Sequence, residues 1–245
     1  MKISRKAMVT VAFLIWGLLG MLPSEAKVSA ADMVRYRTGT VGAADNEETL
    51  SGKIRKITPE GIIITEDGKD QKIPANRIVW TQFEKEPINL TTARTLMQTS
   101  RYDEAIAKLN EIPAGERSAT TPLITADWSY LSASATANSA LARKSRDDLV
   151  AAGRMLREFT KTYPDSWHMT EANELIGEIL LALDKPGNAK EFFNLLAAMP
   201  WADVKLKALN ASAAISLLEK KYEESLKTYA AVIAFSAEDS TFVRR

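Results

Sequence analysis

The chain has 245 residues, 46% of them hydrophobic and 26% charged, with no cysteine, a single histidine (His168) and a formal charge of +1. That apolar content belongs to a folded protein, and the balanced charge excludes a strongly basic nucleic-acid binder, which needs surplus Lys and Arg to neutralise phosphates. Without cysteine and with one histidine there are no disulfides, thiol nucleophiles, iron–sulfur clusters or multi-histidine metal sites, and no cofactor or metal is expected.

The first segment reads as a secretory signal peptide spanning residues 1–30. Lys2, Arg5 and Lys6 precede an apolar run from Ala7 to Leu22, followed by small-residue steps that place cleavage after Ala26 or Ala30. The rival reading is a retained membrane anchor, but 16 apolar residues fall short of the roughly 20 that span a bilayer. The expectation is export to the bacterial periplasm or cell envelope, with membrane contact only if this segment is retained.

Residues 32–86 alternate with period two and predict a small β domain. Val34 and Tyr36 alternate with Arg35 and Arg37. Leu50, Ile54 and Ile57 mark a second strand, and Gly61 opens the β-branched run Ile62–Thr65. Asp67-Gly68 predicts a hairpin. Ile73, Pro74 and Asn76 read as a short turn, Ile78–Phe83 as a closing strand, and Thr38–Glu48 as a loop. Four or five short strands in so few residues suggest a small antiparallel barrel. Ser51-Gly52-Lys53-Ile54 followed by Ile73-Pro74-Ala75-Asn76-Arg77-Ile78 resembles an SH3-like or Sm-like barrel. Sm-like proteins often bind RNA, but this segment holds nine Lys/Arg against ten Asp/Glu, so a packing or oligomerisation module is expected.

From Pro87 the period becomes helical. Helices are predicted over 88–99, 102–112, 121–142, 146–162, 168–183, 186–198, 202–219 and 222–235, forming a helical domain over 87–236 with a tail at 237–245. The fold class is therefore α+β, mostly α. The helices repeat. Ala105, Ala152, Ala189 and Ser225 are equivalent, at steps of 47, 37 and 36 residues. Four residues on stand Leu109, Leu156, Phe193 and Tyr229; twelve before stand Ala93, Ala140, Gly177 and Ala213. Small residues let paired helices approach, and a large apolar residue one turn later fills the space between pairs, so pairs stack into a solenoid.

This pattern resembles the tetratricopeptide repeat. Ile176-Gly177, Ala189 and Phe193 carry the best copy. Arg101-Tyr102-Asp103-Glu104-Ala105 and Lys221-Tyr222-Glu223-Glu224-Ser225 match the turn before the second helix, and Tyr163-Pro164-Asp165 a repeat ending. The signature Trp is missing, the periods exceed 34 residues, and the 47-residue step requires an insertion.

Glu171, Glu174 and Glu178 fall at i, i+3 and i+7 on one helix face. The resemblance places that face in the concave groove where the family binds peptides, with Lys207, Asn210 and Ala214 as its counterparts one repeat later. It implies a polar groove for a basic or extended segment of an unidentified protein partner, without catalysis. The family's Lys/Asn clamp for a C-terminal carboxylate is absent. The alternatives are an envelope hydrolase using this carboxylate stripe, or a membrane-anchored assembly factor. His168 reads as an exposed residue at a helix start, since no catalytic spacing surrounds it. Most of the aromatics of the helical region, Tyr222 among them, are expected in the core; Trp201, at a repeat junction after Pro200, reads as packed into the next pair, with an exposed anchor as the alternative. Little sequence after the last pair remains to form a cap, so a partner or a second copy, giving a homodimer, is expected over its apolar face.

Overall fold

The computed structural model describes residues 31–38, 46–119 and 121–235. The predicted signal peptide with its cleavage sites, most of the predicted Thr38–Glu48 loop and the 237–245 tail lie outside them.

Among the described residues five strands form one antiparallel sheet: β1 (Asp32–Thr38), β2 (Asn46–Thr58), β3 (Gly61–Glu66), β4 (Lys69–Pro74) and β5 (Ile78–Gln82), in the order β4-β3-β2-β1-β5. The long β2 serves two neighbours. Its first half pairs with β1 and its second half with β3, with a register shift between Ile54 and Lys56. Val34, Leu50, Ile54, Ile62 and Ile64 point inward and are buried, as period-two alternation requires. The β3–β4 turn is Asp67-Gly68, both at positive φ (49° and 77°), which matches the twist of the flanking strands. Two expectations change here. Asn46–Glu48, predicted as loop, extends β2 by pairing with Tyr36–Thr38. Ile73 and Pro74, predicted as turn, complete β4, and a 3₁₀ turn at Ala75–Arg77 leads into β5.

Nine helices follow among the described residues: α1 (Ile88–Gln98), α2 (Tyr102–Asn110), α3 (Ala114–Ala119), α4 (Pro122–Arg143), α5 (Arg146–Thr162), α6 (Met169–Ala182), α7 (Pro186–Ala197), α8 (Ala202–Leu218) and α9 (Tyr222–Ala234). Eight begin and end within about two residues of the periodicity. α3, unpredicted, lies inside the 47-residue step, and with the 22-residue α4 it takes up the extra length. Thr121 caps α4, its side chain accepting from the Ile124 N–H, and Pro122 follows at the first helical position, where a missing N–H costs nothing.

Helices adjacent in sequence pack together: α1 with α2, α4 with α5, α6 with α7 and α8 with α9. Each pair also meets the next, through α2 with α4, α5 with α6 and α7 with α8. The four turns within pairs are alike. Ser100, Lys144, Asp184 and Lys220 all take left-handed φ, 54° to 61°. The following residue (Arg101, Ser145, Lys185 or Lys221) donates its N–H to the carbonyl five residues earlier (Leu96, Ala140, Leu180 or Ser216). This is the Schellman C-cap, made four times without glycine.

The small residues sit at the helix contacts. Ala93, Ala105, Ala140, Ala152, Ala189 and Ala213 are fully buried, and Ser225 donates its hydroxyl to the Ala213 carbonyl at 2.8 Å. A Cβ on Gly177 would lie 2.8 Å from the Phe193 ring, so only glycine fits against that aromatic. Tyr229 is half-buried. Not every aromatic is core: Tyr222 is 63% exposed, on a helix that no following helix covers among the described residues. Trp201 is half-buried and packs against the core.

Candidate functional site

Two neighbouring arrangements stand out: a buried polar cluster at the start of α6, and the charged face between α6 and α8.

The cluster centres on His168. The ring is 5% exposed, so the expectation of an exposed helix-start histidine is corrected. His168 does begin α6, as its N-cap, but the ring turns inward between two aromatics. Tyr130 stacks on it at 3.7 Å and 16°, and Trp167 covers it at 3.7 Å. Its Nε2 lies 2.8 Å from Asp127 Oδ1, and its Nδ1 lies 3.4 Å from Glu171 Oε2, which also accepts the Tyr130 hydroxyl at 2.8 Å. Ionised carboxylates only accept hydrogen bonds. A proton on each ring nitrogen satisfies both contacts, so this setting favours the imidazolium form of His168. Burial alone would discharge it, but the bonds and charges of Asp127 and Glu171 outweigh burial and hold its pKa above the ordinary value.

Arg94 on α1 extends the cluster. Its guanidinium is bidentate to Glu86, at 2.6 and 2.8 Å, and reaches Asp127 Oδ2 through Nε at 2.9 Å and Nη2 at 2.6 Å. Burial favours protonation of Asp127, but Arg94 and His168 prevail and hold its carboxyl below its usual range. Glu171 is likewise held low, its burial outweighed by His168 and Tyr130, although half of its side chain is in water and its bonds are partly screened. The cluster thus ties the residues before α1, α1 itself, α4 and the start of α6 with charge-assisted bonds.

Cavities of about 220 and 270 Å³ flank the Trp167–His168 step. The first lies between β5 and the helices, where Trp80 and Thr81 face Arg94, Tyr130 and Glu171. Thr81 is fully buried there and its hydroxyl finds no hydrogen-bond partner among the described residues. The sheet touches the helices again further along, where the Asn76 amide donates to Asp203 on α8 at 3.0 Å.

The stripe predicted from sequence divides. Glu171 turns to the cluster. Glu174 accepts from Lys207 Nζ at 2.8 Å, an ion pair joining α6 to α8. The Lys207 ammonium, disfavoured by burial, is held protonated more firmly than usual by Glu174. Glu178 is exposed and makes no ion pair among the described residues; partial burial, then the nearby Glu174 charge, push its carboxyl up. Asn210 is exposed and Ala214 half-buried, at i+3 and i+7 from Lys207 on the same face of α8.

Sequence reasoning missed Glu86, Arg94, Asp127 and Tyr130. Arg94 and Asp127 sit within apolar-periodic helices, which is the one signal that they face inward. No group of three or more His, Asp or Glu suited to a metal occurs among the described residues, and none of their helices is long and apolar enough to cross a membrane.

Comparison with protein-family models, with curated proteins and with solved structures finds no match. The functional reading therefore rests on the geometry.

Proposed function

We propose that this chain is a non-catalytic interaction protein of the bacterial cell envelope, and that it binds a basic, extended partner segment on the face formed by α6 and α8. The observation that carries this is the uneven charge of that face. Glu174 is matched by Lys207 in an ion pair, while Glu178 makes none among the described residues; partial burial, then the Glu174 charge, raise its carboxyl, and the nearby Lys207 offsets them only in part. A Lys or Arg of a partner laid along the face supplies the missing charge and relieves that repulsion.

The wider architecture is read consistently with this. The four identical pair turns and the small-residue contacts support a tetratricopeptide-like solenoid, in which first helices line the binding surface. The strand order, the shared β2 and the 3₁₀ turn before β5 support a small SH3-like barrel. The charged, apolar, then small-residue order of residues 1–30 supports export.

The test is fluorescence anisotropy with two labelled extended peptides, one rich in Lys and Arg and one in Glu. The basic peptide should bind, with affinity falling as salt rises. Glu174→Lys combined with Glu178→Lys should abolish binding, and Glu178→Gln should weaken it, at unchanged circular dichroism. Equal binding of both peptides, or an unaffected double variant, would sink the reading.

A further inference from the structure

In the first three helix pairs, two apolar side chains follow the small contact residue by four and seven positions. They are Leu109 and Ile112 after Ala105, Leu156 and Phe159 after Ala152, and Phe193 and Leu196 after Ala189; all six are at most 4% exposed. In each case the first helix of the next pair packs on that second helix: α4 on α2, α6 on α5 and α8 on α7. The same register on α9 gives Tyr229 and Val232 after Ser225, and these are only half-buried. Beside them Leu226 and Ile233 are 73% and 75% exposed. Tyr222, Leu226, Tyr229 and Ile233 fall at i, i+4, i+7 and i+11, a single apolar stripe, and the exposed Leu217 and Leu218 of α8 lie at the turn below it.

We propose that this face is an interface with a second copy of the chain, with α9 packed on its own image about a twofold axis. The face continues a series of interfaces already made three times within the chain, each closed by an apolar helix laid on a second helix. The chain itself carries a helix with the required stripe, and twofold symmetry lets one stripe cover itself without a separately matched partner. The stripe holds no charge. Glu223, Glu224 and Lys227 lie off it by helical register, so no like charges meet at the axis. The segment Ser236–Arg245 holds only Phe242 and Val243 as large apolar residues, too few to match the stripe. The proposal is independent of peptide binding, whose residues lie on α6 and α8.

The test is light scattering of the full chain across a dilution series. Wild type should show twice the 27.0 kDa chain mass, falling on dilution. Leu226→Lys with Ile233→Lys should weaken association by about a hundredfold at unchanged helical circular dichroism. A 27.0 kDa particle at every concentration, as coverage by Ser236–Arg245 would give, overturns the proposal, and so does a dimer that survives the double variant. Because the chain has no cysteine, Leu226→Cys and Tyr229→Cys give an independent check that keeps every stripe neighbour. At least one should form an intermolecular disulfide, which needs Cβ atoms about 4 Å apart, while Glu191→Cys on the exposed side of α7 should not. Failure of both stripe positions to cross-link above that control also refutes it.

Discussion

His168 and Asp127, 41 residues apart, meet at 2.8 Å with both side chains buried. The second oxygen of Asp127 is held by Arg94, so one carboxylate serves two cations brought from α1 and the start of α6. Removing its charge leaves Arg94 with Glu86 alone and His168 without its main charged partner, and breaking a buried pair in this way costs about 3–5 kcal/mol. Asp127→Asn, nearly isosteric, should therefore lower stability by that order in urea denaturation, and the loss of helical signal should remain a single transition. A change below about 1 kcal/mol would show that the cluster contributes little.

The same cluster sets a pH profile. His168 is held above its ordinary value of 6.5. Its contribution is complete below that pH and is lost as pH rises through the raised value. Asp127 and Glu171 are held below 3.8 and 4.5. Their contributions are present above those values and are lost as pH falls through the lowered ones. Thermal stability should peak on the mildly acidic side of neutrality and decline towards alkaline pH. His168→Gln should flatten the alkaline decline; a variant whose Tm falls with pH as steeply as wild type assigns that slope to other groups.

Gly177 on α6 lies against the Phe193 ring of α7, where an added Cβ would come within 2.8 Å. Phe193 is buried and has little room to yield. Gly177→Ala should cost about 1–3 kcal/mol through overpacking, despite the better helix propensity of alanine. Pairing it with Phe193→Leu should recover part of the loss in a double-mutant cycle.

The four left-handed turn residues give a prediction of opposite sign. A side chain at left-handed φ costs about 1 kcal/mol relative to glycine, partly offset by the freedom glycine adds to the unfolded chain. Asp184→Gly and Lys220→Gly should each be neutral or stabilise by up to about 1 kcal/mol, read as a raised urea midpoint at constant m. Destabilisation at both sites would mean that these side chains contribute contacts exceeding the strain.

How much was legible in sequence can be traced through particular residues. The spacing of Ala105, Ala152, Ala189 and Ser225 located the second helices, because helix contacts demand small residues at fixed intervals. Asp67-Gly68 located a hairpin, because few other pairs tolerate both left-handed torsions. The pair turns themselves carried no glycine signal, and α3 had no apolar period of its own. His168 was misjudged because its neighbours in sequence, Ser166 and Met169, say nothing of Asp127 and Tyr130 on another helix.

The sequence by itself determined most of the element types, the spacing of the helix contacts and the charge balance, which follow from local periodicity and composition, though not α3 or the ends of β2 and β4. Only the tertiary structure decided which charges meet. Glu171 and Glu174 share one helical face, yet one turns to a buried histidine and the other to Lys207. That partition depends on what α4 and α8 present across the gap. Burial strengthens such pairs and penalises unpaired charges, so long-range packing, invisible to a one-dimensional pattern, gave Glu171 and Glu174 their partners and left Glu178 with no ion pair among the described residues.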